Sequence, residues 1–141
     1  MCVCVIDGRG GGLGSRLVAG LRSELGQTHH IVALGTNHVA AAAMKRAGAT
    51  QVGVGHRAIA DTLPTVDVIV ASLNMVLPGA MLGEVTPEIV RAILGARATK
   101  VLLPLNRARV EIVGAGVCTL EVLIAQSLSR VRSLVSSVGP A

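Results

Sequence analysis

At 141 residues, 51% of them hydrophobic, and with a formal net charge of +5, the chain has the length of one domain, 1–141, and enough apolar side chains for a single core. No Phe, Tyr or Trp is present and the basic residues are dispersed from Arg9 to Arg132, so the platforms and the patches that hold nucleic acid are both missing, and scattered Arg reads as solvated surface. No apolar run approaches membrane-spanning length and no basic region precedes the opening apolar stretch, which argues for a cytoplasmic protein with no membrane partner.

The chain opens on Val3-Cys4-Val5-Ile6-Asp7, an apolar strand that runs into Gly8-Arg9-Gly10-Gly11-Gly12-Leu13-Gly14-Ser15. A glycine loop leading into a helix presents unpaired backbone amides and the positive end of the helix dipole, which suits a phosphate. Cys2 and Cys4 share one side of that strand and Cys118 is far away in sequence; three free, mostly buried thiols are expected. His29, His30, His38 and His56 show no metal-ligand spacing, so no metal is assigned.

Leu17, Val18, Leu21 and Leu25 recur at helical spacing between Ser15 and Leu25, with Arg16, Arg22 and Glu24 on the surface and Gly26 as the stop. Ile31 to Leu34 is a buried strand ending at Gly35-Thr36-Asn37, and Asn37 caps an Ala-rich helix from His38 to Ala47. A short strand is expected over Thr50 to Val54, and a turn or two of helix around Arg57 to Thr62. Val66 to Ala71 is a further strand, ending in Ser72-Leu73-Asn74. The apolar stretch Met75 to Val85, broken by Pro78, Gly79 and Gly83, reads as a loop or short irregular helix. Exposed, it would need covering by a ligand or by a second subunit, and a homo-oligomer through residues 75–85 is the expectation. Thr86-Pro87-Glu88 starts a helix to about Leu94. Lys100 to Leu105 is a strand ending at Asn106-Arg107, and Val110 to Val113 reads as one more, too close for a helical crossover and so an antiparallel partner or hairpin edge. Leu120, Leu123, Ile124, Leu128, Val131, Leu134 and Val135 then line one face of a long closing helix.

Apolar strands alternating with helices predict an α/β fold, a three-layer Rossmann-like domain with a mostly parallel sheet and a possible antiparallel edge strand. In such a sheet a ligand lies beyond the carboxyl ends of the strands, which nominates Asp7 with the glycine loop, Gly35-Thr36-Asn37, Ser72-Leu73-Asn74 and Asn106-Arg107. The loop fits G-x-x-x-G-x-G through Gly8, Gly12 and Gly14, and approximates the older dinucleotide fingerprint through Gly10, Gly12 and Ser15. The acidic residue that would hold an adenine ribose after the second strand is absent, and no Tyr is available for short-chain dehydrogenase chemistry. Hydride transfer of the familiar NAD-dependent kind is therefore disfavoured. Asn37 reads as a helix cap or a ribose partner, and His38 is the His nearest the expected crevice.

Taken together, VIDGRGGGLG (residues 5–14), ALGTN (33–37), AMLGEVTP (80–87), LLPLN (102–106) and VEIVG (110–114) resemble the bacterial family known as domain of unknown function 3842. The resemblance implies a small cytoplasmic Rossmann-like protein and carries no activity with it. Its pattern falls on Gly8 to Gly14, Thr36, Asn37, Gly83, Glu84, Asn106 and Glu111.

The binding candidates are accordingly Gly8, Arg9, Gly10, Gly11, Gly12, Gly14, Ser15, Thr36, Asn37, Asn74, Asn106 and Arg107, with Arg9 and Arg107 as phosphate clamps. Glu84 and Glu111 are the catalytic candidates, against the plainer readings of a charge near a helix start and an exposed strand position. The leading reading is a protein that holds a nucleotide or dinucleotide by its phosphate. Two alternatives stand beside it: a non-enzymatic homo-oligomeric assembly or regulatory protein, and a small transferase or isomerase acting on a phosphorylated metabolite through Asn74, Glu84, Asn106 and Glu111.

Overall fold

The computed structural model describes residues 1–137, so the last four positions of the expected domain lie outside the described residues. Strands and helices alternate as β1 (Cys2–Asp7), α1 (Gly12–Leu25), β2 (His30–Gly35), α2 (His38–Arg46), β3 (Gln51–Val54), α3 (Gly55–Thr62), β4 (Val68–Ser72), α4 (Pro87–Gly95), β5 (Thr99–Leu103) and α5 (Leu120–Ser137). The strands form one sheet in the order β3-β2-β1-β4-β5, and every neighbouring pair is parallel. Val3 and Val5 pack with Leu17 and Leu21 of α1, Met44 of α2 and Val131 of α5, whereas Cys4 and Ile6 pack with Ile59 of α3 and Ile93 of α4. Helices thus cover both faces, which is why β1 and β4 are apolar without alternation. The chain winds outward from β1 through β2 to β3 and then returns to β4 on the other side of β1. The loops leaving β1 and β4 therefore diverge, and the sheet opens a crevice between them.

Local signals account for most element ends. Asn37 Oδ1 accepts from Ala40 N at 2.8 Å and Thr86 Oγ1 from Ile89 N at 3.3 Å, capping α2 and α4. α1 begins at Gly12, three residues before the expected Ser15, because Gly11 caps it in the left-handed region at φ 74°. A Cβ at Gly11 would stand 2.8 Å from Ala40 Cα, so the first helix can lie this close to the second only through glycine.

Four expectations need correction. Val110 to Val113 forms no strand, and the sheet has no antiparallel edge among the described residues. Asn106 Oδ1 accepts from the amides of Ala108 and Val110, both at 3.0 Å, and its Nδ2 donates to Val110 O, so the first ladder groups of that segment are engaged in a side-chain turn. The stretch 75–85 is not an open apolar surface: Met75 and Val85 are fully buried, Ala80 and Met81 pack on the same core, and Gly79 N donates to Val85 O at 2.7 Å to close the loop on itself. Leu82 is its exposed apolar side chain, and the larger apolar exposure falls instead on Ile112, Val113 and Val117. Arg22 is not solvated surface; its guanidinium donates to the carbonyls of Gly26, His29 and Gly48 and to Thr50 Oγ1, tying the end of α1 to the start of β3. Cys118, finally, is exposed, while Cys4 is buried and Cys2 partly so. No helix among the described residues is long and apolar enough to cross a membrane.

Candidate functional site

The crevice between β1 and β4 is a cleft of about 540 Å³, walled by Asp7 and the loop 8–13, by Ser72 at the end of β4 and Asn74 just beyond it, by Met81 and Leu82, and by Leu105 and Arg107 beyond β5. A second hollow of about 340 Å³ adjoins it, sharing Asn74, Met81 and Arg107. Both volumes lie in the range of small-molecule sites.

The amides of the loop divide into two sets. Asp7 is buried, and its two carboxylate oxygens accept from Gly8 N at 2.8 Å and Gly14 N at 2.7 Å, joining the two ends of the loop. Arg9 N donates to Glu84 and Gly11 N to Gly8 O. The amides of Gly10, Gly12 and Leu13 have no hydrogen-bond partner among the described residues, and they sit on the wall of the cleft at the start of α1. Burial pushes the Asp7 carboxyl up from its ordinary value; the two amides oppose that rise, and the Glu84 charge adds to it.

The glycines divide in the same way. A Cβ at Gly8 would stand 2.6 Å from Met81 Sδ and Thr36 Oγ1, and one at Gly14 would stand 2.6 Å from Met44 Sδ and 2.8 Å from Asp7 Cβ, so packing forbids side chains there. At Gly10 and Gly12 a Cβ would meet nothing within 4 Å, and neither residue has the left-handed backbone that demands glycine. The fold itself accounts for Gly8, Gly11 and Gly14 and leaves Gly10 and Gly12 without a reason.

Glu84 clamps the loop from the far side. Its Oε1 accepts from Thr36 Oγ1 at 2.6 Å, Asn37 Nδ2 at 2.8 Å and Arg9 N at 3.1 Å. The Thr36 hydrogen bond, with those from Arg9 N and Asn37 and the nearby Arg9 charge, holds the carboxyl below its ordinary value of 4.5 against partial burial. A folded value below the unfolded one stabilises the fold above the unfolded value, and that contribution is lost as pH falls through the folded value. Glu84→Gln keeps an acceptor oxygen but loses the charge. In thermal melts it is expected to trail the wild type by about 1 kcal/mol near neutrality, the lower range for hydrogen bonds to a partly exposed charge. That gap should close below pH 4.5; a gap independent of pH would remove the clamp from the account.

The remaining candidates separate by position. Gly8, Arg9, Gly10, Gly11, Gly12, Asn74 and Arg107 line the cleft, and neither the Arg9 nor the Arg107 guanidinium donates a hydrogen bond to another described residue. Gly14 lies behind the loop against Met44, Ser15 Oγ donates to Gly11 O within the helix, and Thr36 and Asn37 turn to Glu84. Asn106 is occupied by its own turn, His38 does not line the cleft, and Glu111 is exposed on the segment beyond it. The structure therefore does not assemble Asn74, Glu84, Asn106 and Glu111 into one site.

Met81, Leu82 and Leu105 form an apolar lip that sequence reasoning did not assign to the site. Arg9, Met81 and Leu82 hold φ at 51°, 56° and 56°, so three of the lining residues sit in a region that side chains of their size rarely adopt. A positive φ leaves no mark in sequence except at glycine. The cleft so built offers amide and guanidinium donors at one end and aliphatic surface at the lip, a set suited to an anionic group carried on an apolar body.

The chain belongs to the family described as Domain of unknown function (DUF3842), whose model matches residues 2–136. Among solved structures it is similar to a dodecameric FMN-dependent UbiX-like decarboxylase from Escherichia coli O157:H7, with 17% sequence identity and a TM-score of 0.49 over 92% of this chain and 75% of that one. No curated protein matches it.

Proposed function

We propose that this DUF3842 protein binds an organic phosphate of the nucleotide or dinucleotide class at the start of α1. The phosphate is held by the amides of Gly10, Gly12 and Leu13, with Arg9 and Arg107 as flanking cations, and the organic part lies against Met81, Leu82 and Leu105. The observation that carries this reading is the pair of glycines at 10 and 12. A side chain at either would meet only open space in the protein, yet it would stand where an anion must approach the backbone. Gly8, Gly12 and Gly14 then divide the work of a dinucleotide loop into tight turn, close approach and helix packing.

Absorbance tests the reading directly. The chain has no Phe, Tyr or Trp, so a near-ultraviolet band in the purified protein belongs to what it carries. A nucleobase band that co-elutes with the protein on gel filtration, and disappears after exhaustive dialysis against high salt, is the expected result. If no band co-elutes and added ADP does not bind in calorimetry, the reading is wrong.

Self-association is a second reading, favoured by the exposed side chains of Ile112, Val113 and Val117 rather than by 75–85. It is compatible with ligand binding, since these residues lie outside the cleft wall.

A further inference from the structure

One polar group on the cleft wall is left unsatisfied by the protein. Ser72, the last residue of β4, is 3% exposed, and its Oγ has no hydrogen-bond partner. Alternation along the strand places it on the face of Val68 and Val70, which pack with α1. The β1–β4 ladder ends at the pair Val5 and Val70, two residues before Asp7 and Ser72, so both leave the ends of neighbouring strands and line the same cleft, while the Asp7 carboxylate is taken up by the glycine loop. Ser72 is thus at the reversal of strand order, within the wall of the cleft.

A hydroxyl buried without a partner weakens a fold, and alanine would occupy this position without that penalty. Ser72 gains a reason only if something that enters the cleft supplies the missing partner.

We propose that Ser72 is a ligand-contacting residue, whose hydroxyl hydrogen-bonds the organic part of the molecule that the glycine loop holds by its phosphate. The assignment rests on the phosphate reading and adds a chemical constraint to it. The ligand is a phosphate ester whose body carries a hydrogen-bonding group, held between the aliphatic lip and the floor of the cleft, and not a bare phosphate or pyrophosphate ion. The lip supplies contact area through Met81 and Leu105, and Ser72 supplies the polar discrimination that aliphatic contacts lack.

The test is calorimetric titration of wild type and Ser72→Ala with ADP and, separately, with inorganic pyrophosphate, accompanied by melting curves of the unliganded proteins. Expected are a loss of about tenfold in ADP affinity, as for one hydrogen bond, unchanged pyrophosphate affinity, and a melting temperature for the variant equal to or above that of wild type. Equal ADP affinity in the two proteins would overturn the assignment of Ser72 and leave the phosphate reading standing. A lower melting temperature together with unchanged ADP affinity would do the same, by giving the hydroxyl a purely structural role. If wild type binds neither ADP nor pyrophosphate, the phosphate reading fails and the Ser72 assignment fails with it.

Discussion

Gly12→Val is expected to abolish ADP binding while the protein stays folded. Valine in this position finds no atom of the protein within 4 Å of its Cβ, and valine is a better helix former than glycine by a few tenths of a kcal/mol, so the substitution carries no cost to the fold. The melting temperature is therefore expected to equal that of the wild type or to lie about 1–2 °C above it. On the proposed binding mode its isopropyl group stands where the phosphate approaches the unpaired amides of Gly12 and Leu13. Losing two hydrogen bonds to a charged ligand, at about 1.5–3 kcal/mol each, lowers affinity by about 100-fold or more. Calorimetry with ADP and a melting curve together decide the matter. Retained affinity would mean that the anion does not approach Gly12, whereas a collapsed melting transition would mean that the open space beside it is not open. Gly14 supplies the contrast, because a Cβ there would stand 2.6 Å from Met44 Sδ and 2.8 Å from Asp7 Cβ. Two glycines a single residue apart thus have different physical justifications, one in the helix packing and one in the cleft.

Asp7→Ala is expected to be the most destabilising single change in the loop. The carboxylate is 5% exposed and accepts from both Gly8 N and Gly14 N, so alanine strands two amides at the crest of the sheet. Hydrogen bonds to a charged acceptor contribute about 1.5–3 kcal/mol each. Release from the burial of the carboxylate, which pushes its pKa up, offsets part of that sum. A net loss of about 2–3 kcal/mol lowers Tm by about 6–12 °C. Asp7→Asn should fall between the two, because one side-chain oxygen can satisfy one amide while the NH2 group faces the other donor. Melting curves of the three proteins provide the check. An Asp7→Ala protein as stable as the wild type would show that the loop is held by Glu84 alone.

Glu84 and Asp7 also show where local reading of a sequence stops. Both carry the residue type expected of an acid or base, yet each is committed to backbone amides of the loop, and Glu84 additionally to Thr36 and Asn37 from a different strand end. Asn37 is legible as a cap because the amide it accepts from, Ala40 N, lies three residues away. Its second role, donating to Glu84 and to Arg9 O, joins residues 47 and 28 positions apart, and no local pattern encodes that. Asn106 and Glu111 lie outside the cleft wall for a related reason. The Val-rich tetrapeptide 110–113 has strand propensity, but propensity cannot supply a partner strand, and a side-chain turn from Asn106 engages its first backbone groups instead.

The amino-acid sequence alone determined what depends on near neighbours and on period. Uninterrupted apolar strands, 3.6-residue apolar faces, Asn37 and Thr86 as caps and Gly26 as a stop specify a parallel α/β sandwich in nearly the observed element bounds. Tertiary structure alone decided the order β3-β2-β1-β4-β5, and with it the position of the cleft. It also decided which of the loop glycines face packed atoms and which face open space, and it placed Ser72 in the cleft wall without a hydrogen-bond partner. Those facts concern distances between residues far apart in the chain, set when helices of fixed period are pressed onto both faces of one twisted sheet.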